Sequence, residues 1–270
     1  MSEAEIPKRA CGGNRINDIY LQCDFHVHTR FSPCAQPDML PASILRVAKE
    51  RGVMRIGLTD HVFGFTNTDI LKHARAECPL GDGDIEVFFG CEADVLSVGR
   101  TAVTQEMIDT LDYIMLSANH FHNDYKKMVD LPSSDQPEVV GRHFLEMFNY
   151  AAGLDYADVI AHPLYVMPGS YDVASIYTLK EKDIRAAVEL AAANGTAVEI
   201  SRRSITPDHL DFFKRFYRLC KDAGVKFAVG SDAHNLASVG QLHLLTPLIE
   251  DLDLKDNDFW LPKRNGGTRQ

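Results

Sequence analysis

The stretch HVHT, residues 26–29, follows a short apolar run. Residues two apart on a strand point to one face, so His26 and His28 present two imidazoles to the same side, with Asp24 two positions ahead of them. Such a pair can grip one ion, or it can be ordinary polar side chains at a strand end. Similar residues recur along the chain: TDH at 59–61 brings Asp60 and His61, GCEAD at 90–94 brings Glu92, and AHP at 161–163 brings His162. GSDAH at 230–234 brings Asp232 and His234, and EISRR at 199–203 brings Glu199, Arg202 and Arg203. In SANHFH, at 117–122, His120 follows the apolar run more closely than His122 and is the better candidate ligand.

Each group ends a β-rich run: 22–27, 54–59, 85–92, 112–118, 157–161, 196–201 and 226–231. Helix-like stretches lie between most of them, at 41–51, 68–77, 104–111, 137–152, 179–194 and 207–223. Pro137 and Pro207 suit the first helical position, Thr178 and Glu181 can form a capping box, and Gly52, Gly153, Gly195 and Gly224 fall where helices should stop. Strand–helix alternation implies a parallel sheet. Seven such units without a linker predict a single α/β domain, a closed or nearly closed β/α barrel at 21–250, with an N-terminal extension (1–20) and a C-terminal tail (251–270). Barrels of this kind collect their reactive groups at the C-terminal ends of the strands. All seven groups therefore converge on one rim.

Eight side chains then compete for metal: His26, His28, His61, Glu92, His120, His162, Asp232 and His234. At about four or five ligands per ion, with one carboxylate shared, they make a centre of two or three divalent ions. Imidazoles and carboxylates, with at most one nearby thiol in Cys34, suit Zn, Mn or Fe at a catalytic site. Paired ions can hold a bridging hydroxide and clamp the oxygens of a displacement, which is hydrolytic chemistry. Arg202 and Arg203, and also Arg30, offer guanidinium donors to phosphate oxygens. If strand parity persists through 202–203, one arginine of that pair faces the rim and the other faces away. Asp60 is placed to orient a ligand or to protonate a leaving alkoxide. His73, His143, His209 and His243 fall in helix-like stretches and read as surface or packing residues, and Cys23 and Cys91 have the parity of the helix-facing side.

A net charge of −10 over 270 residues argues against a long nucleic acid as partner and fits a small phosphorylated substrate in a locally basic pocket. The six cysteines form no CxxC pair, the first residues lack a signal-peptide core, and no apolar run approaches bilayer length. These features predict a cytoplasmic chain without a membrane partner. They leave the oligomeric state open.

In the order and spacing of HVHT, TDH, Glu92, His120, AHP and SDAH, the chain resembles the polymerase and histidinol phosphatase (PHP) superfamily from about 26 to 234. The resemblance implies a distorted (β/α)7 barrel and a metal-dependent phosphoesterase with two or three ions. It implies that Glu92 bridges, that His26, His28 and Asp232 complete one ion, His120 and His162 a second, and that His61 and His234 serve a third. Where many members carry a further ligand, a few residues after the HxH pair, this chain has Cys34, with Asp38 as the alternative. The expected activity is phosphomonoester hydrolysis of histidinol-phosphatase type. A nuclease or nucleotide phosphoesterase, and a non-catalytic metal-binding regulatory domain, are the competing readings.

Overall fold

The computed structural model describes residues 19–64, 66–79, 83–121 and 129–264. Nine strands run in the order β1 (Cys23–Val27), β2 (Arg55–Leu58), β3 (His61–Val62), β4 (Glu86–Ser97), β5 (Arg100–Thr101), β6 (Tyr113–Ser117), β7 (Val159–Ala161), β8 (Ala197–Ile200) and β9 (Phe227–Val229). Seven of them follow one another as parallel neighbours, β1-β2-β4-β6-β7-β8-β9. β3 continues the line of β2 along β4, and β5 folds back antiparallel on the end of β4. β1 meets the end of β9 through His28 N–H to Ala233 O and Ala233 N–H to His26 O, at 3.0 and 3.4 Å, so the barrel is nearly closed. The architecture is a distorted (β/α)7 barrel.

The helices are α1 (Pro41–Glu50), α2 (Asp69–Glu77), α3 (Gln105–Thr110), α4 (Pro137–Ala152), α5 (Ala174–Tyr177), α6 (Glu181–Asn194), α7 (Pro207–Ala223) and α8 (Thr246–Asp251). Proline opens α1, α4 and α7, where its missing N–H costs nothing. Gly195 and Gly224 end α6 and α7 at φ +72° and +82°, a left-handed conformation that favours glycine. The expected capping box does not form. The Thr178 hydroxyl donates to Ser175 O at the end of α5, and α6 starts after Lys180 without a side-chain cap.

Inside the barrel, Phe25, Phe88, Tyr113, Met115 and Val159 form an apolar floor beneath the rim. Gly57 and Gly90 make room for the Tyr113 ring, whose hydroxyl donates to Phe25 O at 2.6 Å. Cys23 lies in this interior cluster, not against the helices, whereas Cys91 packs in the outer core. The cause is an irregularity in β1: three residues from Asp24 to Val27 span two on β2. Such a bulge reverses the inward–outward alternation within one strand. Phe25 thus belongs to the floor and His26 to the centre above it. Asp24 stays outside the centre, where its carboxylate accepts the N–H groups of Ser231 and Gly240, both at 2.8 Å.

The segment beyond 250 also closes the floor. Trp260 N–H donates to Phe227 O at 2.9 Å, and its ring meets Phe25 and Tyr113 edge-on. No described helix is long and apolar enough to cross a membrane.

Candidate metal centre

Glu92 stands at the middle of the rim, fully buried, and its two oxygens face different histidines. Oε2 lies 3.2 Å from His26 Nε2, 3.4 Å from His28 Nε2 and 2.9 Å from His61 Nδ1. Oε1 lies 2.8 Å from His162 Nε2 and 3.4 Å from His120 Nε2. Asp232 Oδ1 approaches His28 Nε2 at 3.3 Å and His26 Nε2 at 3.7 Å. His234 Nε2 faces His61 Nε2 at 3.4 Å. All eight sequence candidates are thus brought to one place: from β1 and the residue after it, the start of β3, the middle of β4, and the loops after β6, β7 and β9. His122 lies outside the described residues.

The surrounding bonds fix the tautomers. His26 Nδ1 sits 2.7 Å from Glu199 Oε1, and His120 Nδ1 sits 2.7 Å from Asp94 Oδ1. His234 Nδ1 faces the carbonyl of Asp232 at 3.0 Å. His28 Nδ1 meets Ser32 Oγ at 3.1 Å, and Ser32 in turn donates to Asp60 Oδ1 at 2.7 Å. Each Nδ1 is therefore a proton-bearing nitrogen, and each Nε2 is the nitrogen turned inward, its lone pair available to an ion that displaces a second proton there. His26 and His28 bring Nε2 atoms to 3.0 Å of each other, where two lone pairs gain nothing without a cation between them. His61 Nδ1, though close to Glu92, makes no hydrogen bond, and His162 Nδ1 is buried without a partner. Three overlapping groups have donor atoms spaced to hold an ion: His26, His28 and Glu92; His61, Glu92 and His120; His28, His61 and His234. The donor set fits divalent ions.

Burial works against charge on the Glu92 and Asp232 carboxylates, and the groups around them decide the outcome. Desolvation pushes the Glu92 carboxyl up, but His61, His26 and His120 hold it well below the usual carboxylate range. Asp232 is likewise held low, by His26, His28 and Arg203 against burial. Two of the candidate ligands sit in strained backbone, His162 at φ +25° and Asp232 at φ +51°. Non-glycine residues persist there only where surrounding structure imposes it. Glu199 imposes it on His162, since Oε2 accepts the His162 N–H at 2.6 Å while Oε1 holds His26. Arg203 imposes it on Asp232, with its Nε donating to Oδ2 at 2.7 Å and its guanidinium lying over the Tyr165 ring.

Several placements differ from expectation. Arg202 and Arg203 both line the cavity above the centre. β8 ends at Ile200 and residues 202–205 form a tight helical turn, so the two-residue period has lapsed. Arg30 turns away to pair with Glu77 on α2 and does not line the cavity. Asp60 accepts from Thr29 N–H, Thr29 Oγ1 and Ser32 Oγ, and it is absent from the cavity wall. It orients the loop carrying His28 and has no spare reach toward a leaving group. Cys34 lines the cavity mouth beside His61 and His234, while Asp38 is exposed elsewhere. Glu199, which the sequence places at the rim without a role, and Asp94, which it does not single out, hold the candidate-ligand imidazoles of His26 and His120. Each lies two residues from a marked strand-end position, Asp94 from Glu92 and Glu199 from Ser201, and that parity was the available signal.

Comparison with known proteins bears on the same residues. A protein of Acetivibrio thermocellus named "Probable phosphatase" is 25% identical over 242 residues, covering 86% of this chain and 87% of that one. A similarly named protein of Caldanaerobacter subterraneus is 26% identical over 255 residues, covering 88% and 86%. The fold is shared with histidinol phosphate phosphatase of Lactococcus lactis, solved with zinc, L-histidinol and phosphate, at a TM-score of 0.59 and 16% identity over 86% of this chain and 93% of that one. The PHP domain matches residues 24–203, two thirds of the sequence and most of the strands just described, and the chain belongs to that family.

Proposed function

We propose that the protein is a metal-dependent phosphatase of the cytoplasm that hydrolyses small phosphomonoesters. The observation that carries this reading is the split of Glu92, one oxygen toward His26, His28 and His61 and the other toward His120 and His162. That arrangement suits a carboxylate shared by two ions, with His26, His28 and Asp232 on one side and His120 and His162 on the other. Ions bound there would lower the pKa of a coordinated water and offset phosphoryl charge. The chain's own part is positional. Glu199, Asp94, Ser32 and the Asp232 carbonyl hold four imidazoles in the ligating tautomer. Arg203, its Nε committed to Asp232 and its guanidinium also engaged with Tyr165, lines the cavity where its remaining N–H groups can meet phosphoryl oxygens. Tyr165, Met167 and Phe63 supply apolar wall to a cavity of about 460 Å³, enough for a small ester. The relatives' names support the phosphatase reading, and the acidic net charge of −10 favours a small ester over nucleic acid. All five described cysteines are free, as in a reducing compartment.

Purified protein should carry at least two divalent ions per chain and release phosphate from small monoesters faster than it cleaves single-stranded DNA. Elemental analysis beside a phosphate-release panel checks both. Less than one ion, with no activity gained on adding Zn, Mn or Fe, would sink the reading, and a preference for DNA would promote a nuclease.

Cys34 we assign to a third ion, together with His61 and His234. Partial burial pushes its thiol up, but hydrogen bonding to His234 and then His61 brings it down to about 6. In metal-stripped protein its alkylation should therefore rise with pH through about 6 and be nearly complete by neutrality, and zinc should suppress it. Cys34→Ser should lose about one ion and Asp38→Asn none. An unchanged count in Cys34→Ser removes the thiol from the centre.

A further inference from the structure

The two cavity arginines do different work. Arg203 is neutralised, with Asp232 as its ionic partner. Arg202 has no such partner among the described residues. Its guanidinium donates to Ser238 Oγ at 3.0 Å and to Gln241 Oε1 at 3.4 Å, and both acceptors are neutral. Ser238 belongs to the loop after β9 and is itself fixed by Asn235. Arg202 is therefore tethered to a different wall from Arg203, half-buried, with its charge unbalanced and facing the same cavity. Adjacent residues on a turn of 3₁₀ type leave it about 120° apart, and the two groups are tethered in different directions, Arg203 to Asp232 and Arg202 to Ser238 and Gln241. A guanidinium held away from bulk water gains most from an anionic partner.

We infer that Arg202 reads a second anionic group, a carboxylate or a second phosphate, on the substrate. The favoured substrates are then phosphomonoesters with two anionic ends, one at the metal centre and one at Arg202, spaced by a body that packs on Tyr165 and Met167. This rests on the phosphatase reading and narrows it.

Two matched pairs test it: phenyl phosphate against 4-carboxyphenyl phosphate, and propanediol monophosphate against its bisphosphate. The metal-loaded protein should favour the doubly anionic member of at least one pair by about tenfold or more in kcat/KM, the worth of one charge-assisted hydrogen bond. Which pair responds tells carboxylate from phosphate. Arg202→Gln should bring that ratio to about one, whatever it does to phenyl phosphate itself, and Arg202→Lys should keep part of it. Equal losses on both members would show that Arg202 grips the scissile phosphoryl group, and no preference in the unmodified protein would also overturn the inference. Benzylphosphonate and 4-carboxybenzylphosphonate, compared by calorimetry, give the carboxylate preference as binding. If nothing is hydrolysed yet the carboxyphosphonate binds tighter through Arg202, the phosphatase reading fails and the subsite stands.

Discussion

Glu92→Gln should fold normally and lose activity by on the order of a thousandfold, comparable to deleting a principal charge-stabilising group from an active site. The substitution is isosteric and removes one negative charge from a point that five imidazoles face within 3.4 Å. The amide offers one acceptor oxygen instead of two, so both halves of the centre lose the shared negative charge and one half also loses its oxygen. The amide nitrogen would also direct hydrogen atoms at Nε2 lone pairs or at an ion. Circular dichroism, and thermal unfolding compared in the metal-stripped state, should match the unmodified protein, while phosphate release collapses and bound metal falls. Near-normal turnover in a well-folded variant would remove Glu92 from the shared position.

Gly230→Ala should be the most damaging single methyl in the rim. A Cβ there would lie 2.4 Å from His26 Cβ and 2.5 Å from Glu199 Oε1. Neither neighbour is the loose end of a flexible chain: His26 is part of β1, and Glu199 is pinned by two bonds, to His26 and to the His162 N–H. Overpacking of this kind costs roughly 1–3 kcal/mol, and relief by displacing Glu199 leaves a buried carboxylate short of partners. For a chain of this size the expected loss is about 3–10 °C in melting temperature. Metal content should fall with it, because His26 loses the acceptor that fixes its tautomer. Gly99, whose Cβ would meet nothing within 4 Å but whose φ is +94°, is the control for backbone strain alone. A Gly230→Ala protein with unchanged melting temperature and metal content would contradict the packing.

Much of this was legible in the sequence because parallel strands buried on both faces read as apolar runs, and ligands at their ends break those runs with imidazole or carboxylate. Cys91 faced the helices as parity required. Cys23 did not, since the irregularity in β1 is set by pairing with β2 and leaves no mark in a sequence of ordinary strand formers. Arg30 was misplaced for a related reason: proximity along the chain to His28 suggested a shared site, but the loop turns its side chain to Glu77. The partnership of Glu199 with both His26 and His162 spans 173 and 37 positions and exists only once the barrel is wound. Strand parity could nominate Glu199 as inward-facing, but not tell what it would touch.

The near-closure of the barrel between β1 and β9 has a consequence for how the protein is made. His26 and His28 are synthesised early, Asp232 and His234 some two hundred residues later, and the seam between Val27 and Ala233 joins them. During vectorial synthesis the first strand must wait, unpaired on that side, until the last has left the ribosome. Loop closure over such a separation is slow, so the centre matures after most of the barrel has formed. Imidazoles left open in that interval favour copper over the other first-row divalent ions. Which ion such a centre would take is then set by timing as well as affinity, and delaying synthesis of the segment that carries Asp232 and His234 should raise the share of copper-bound protein.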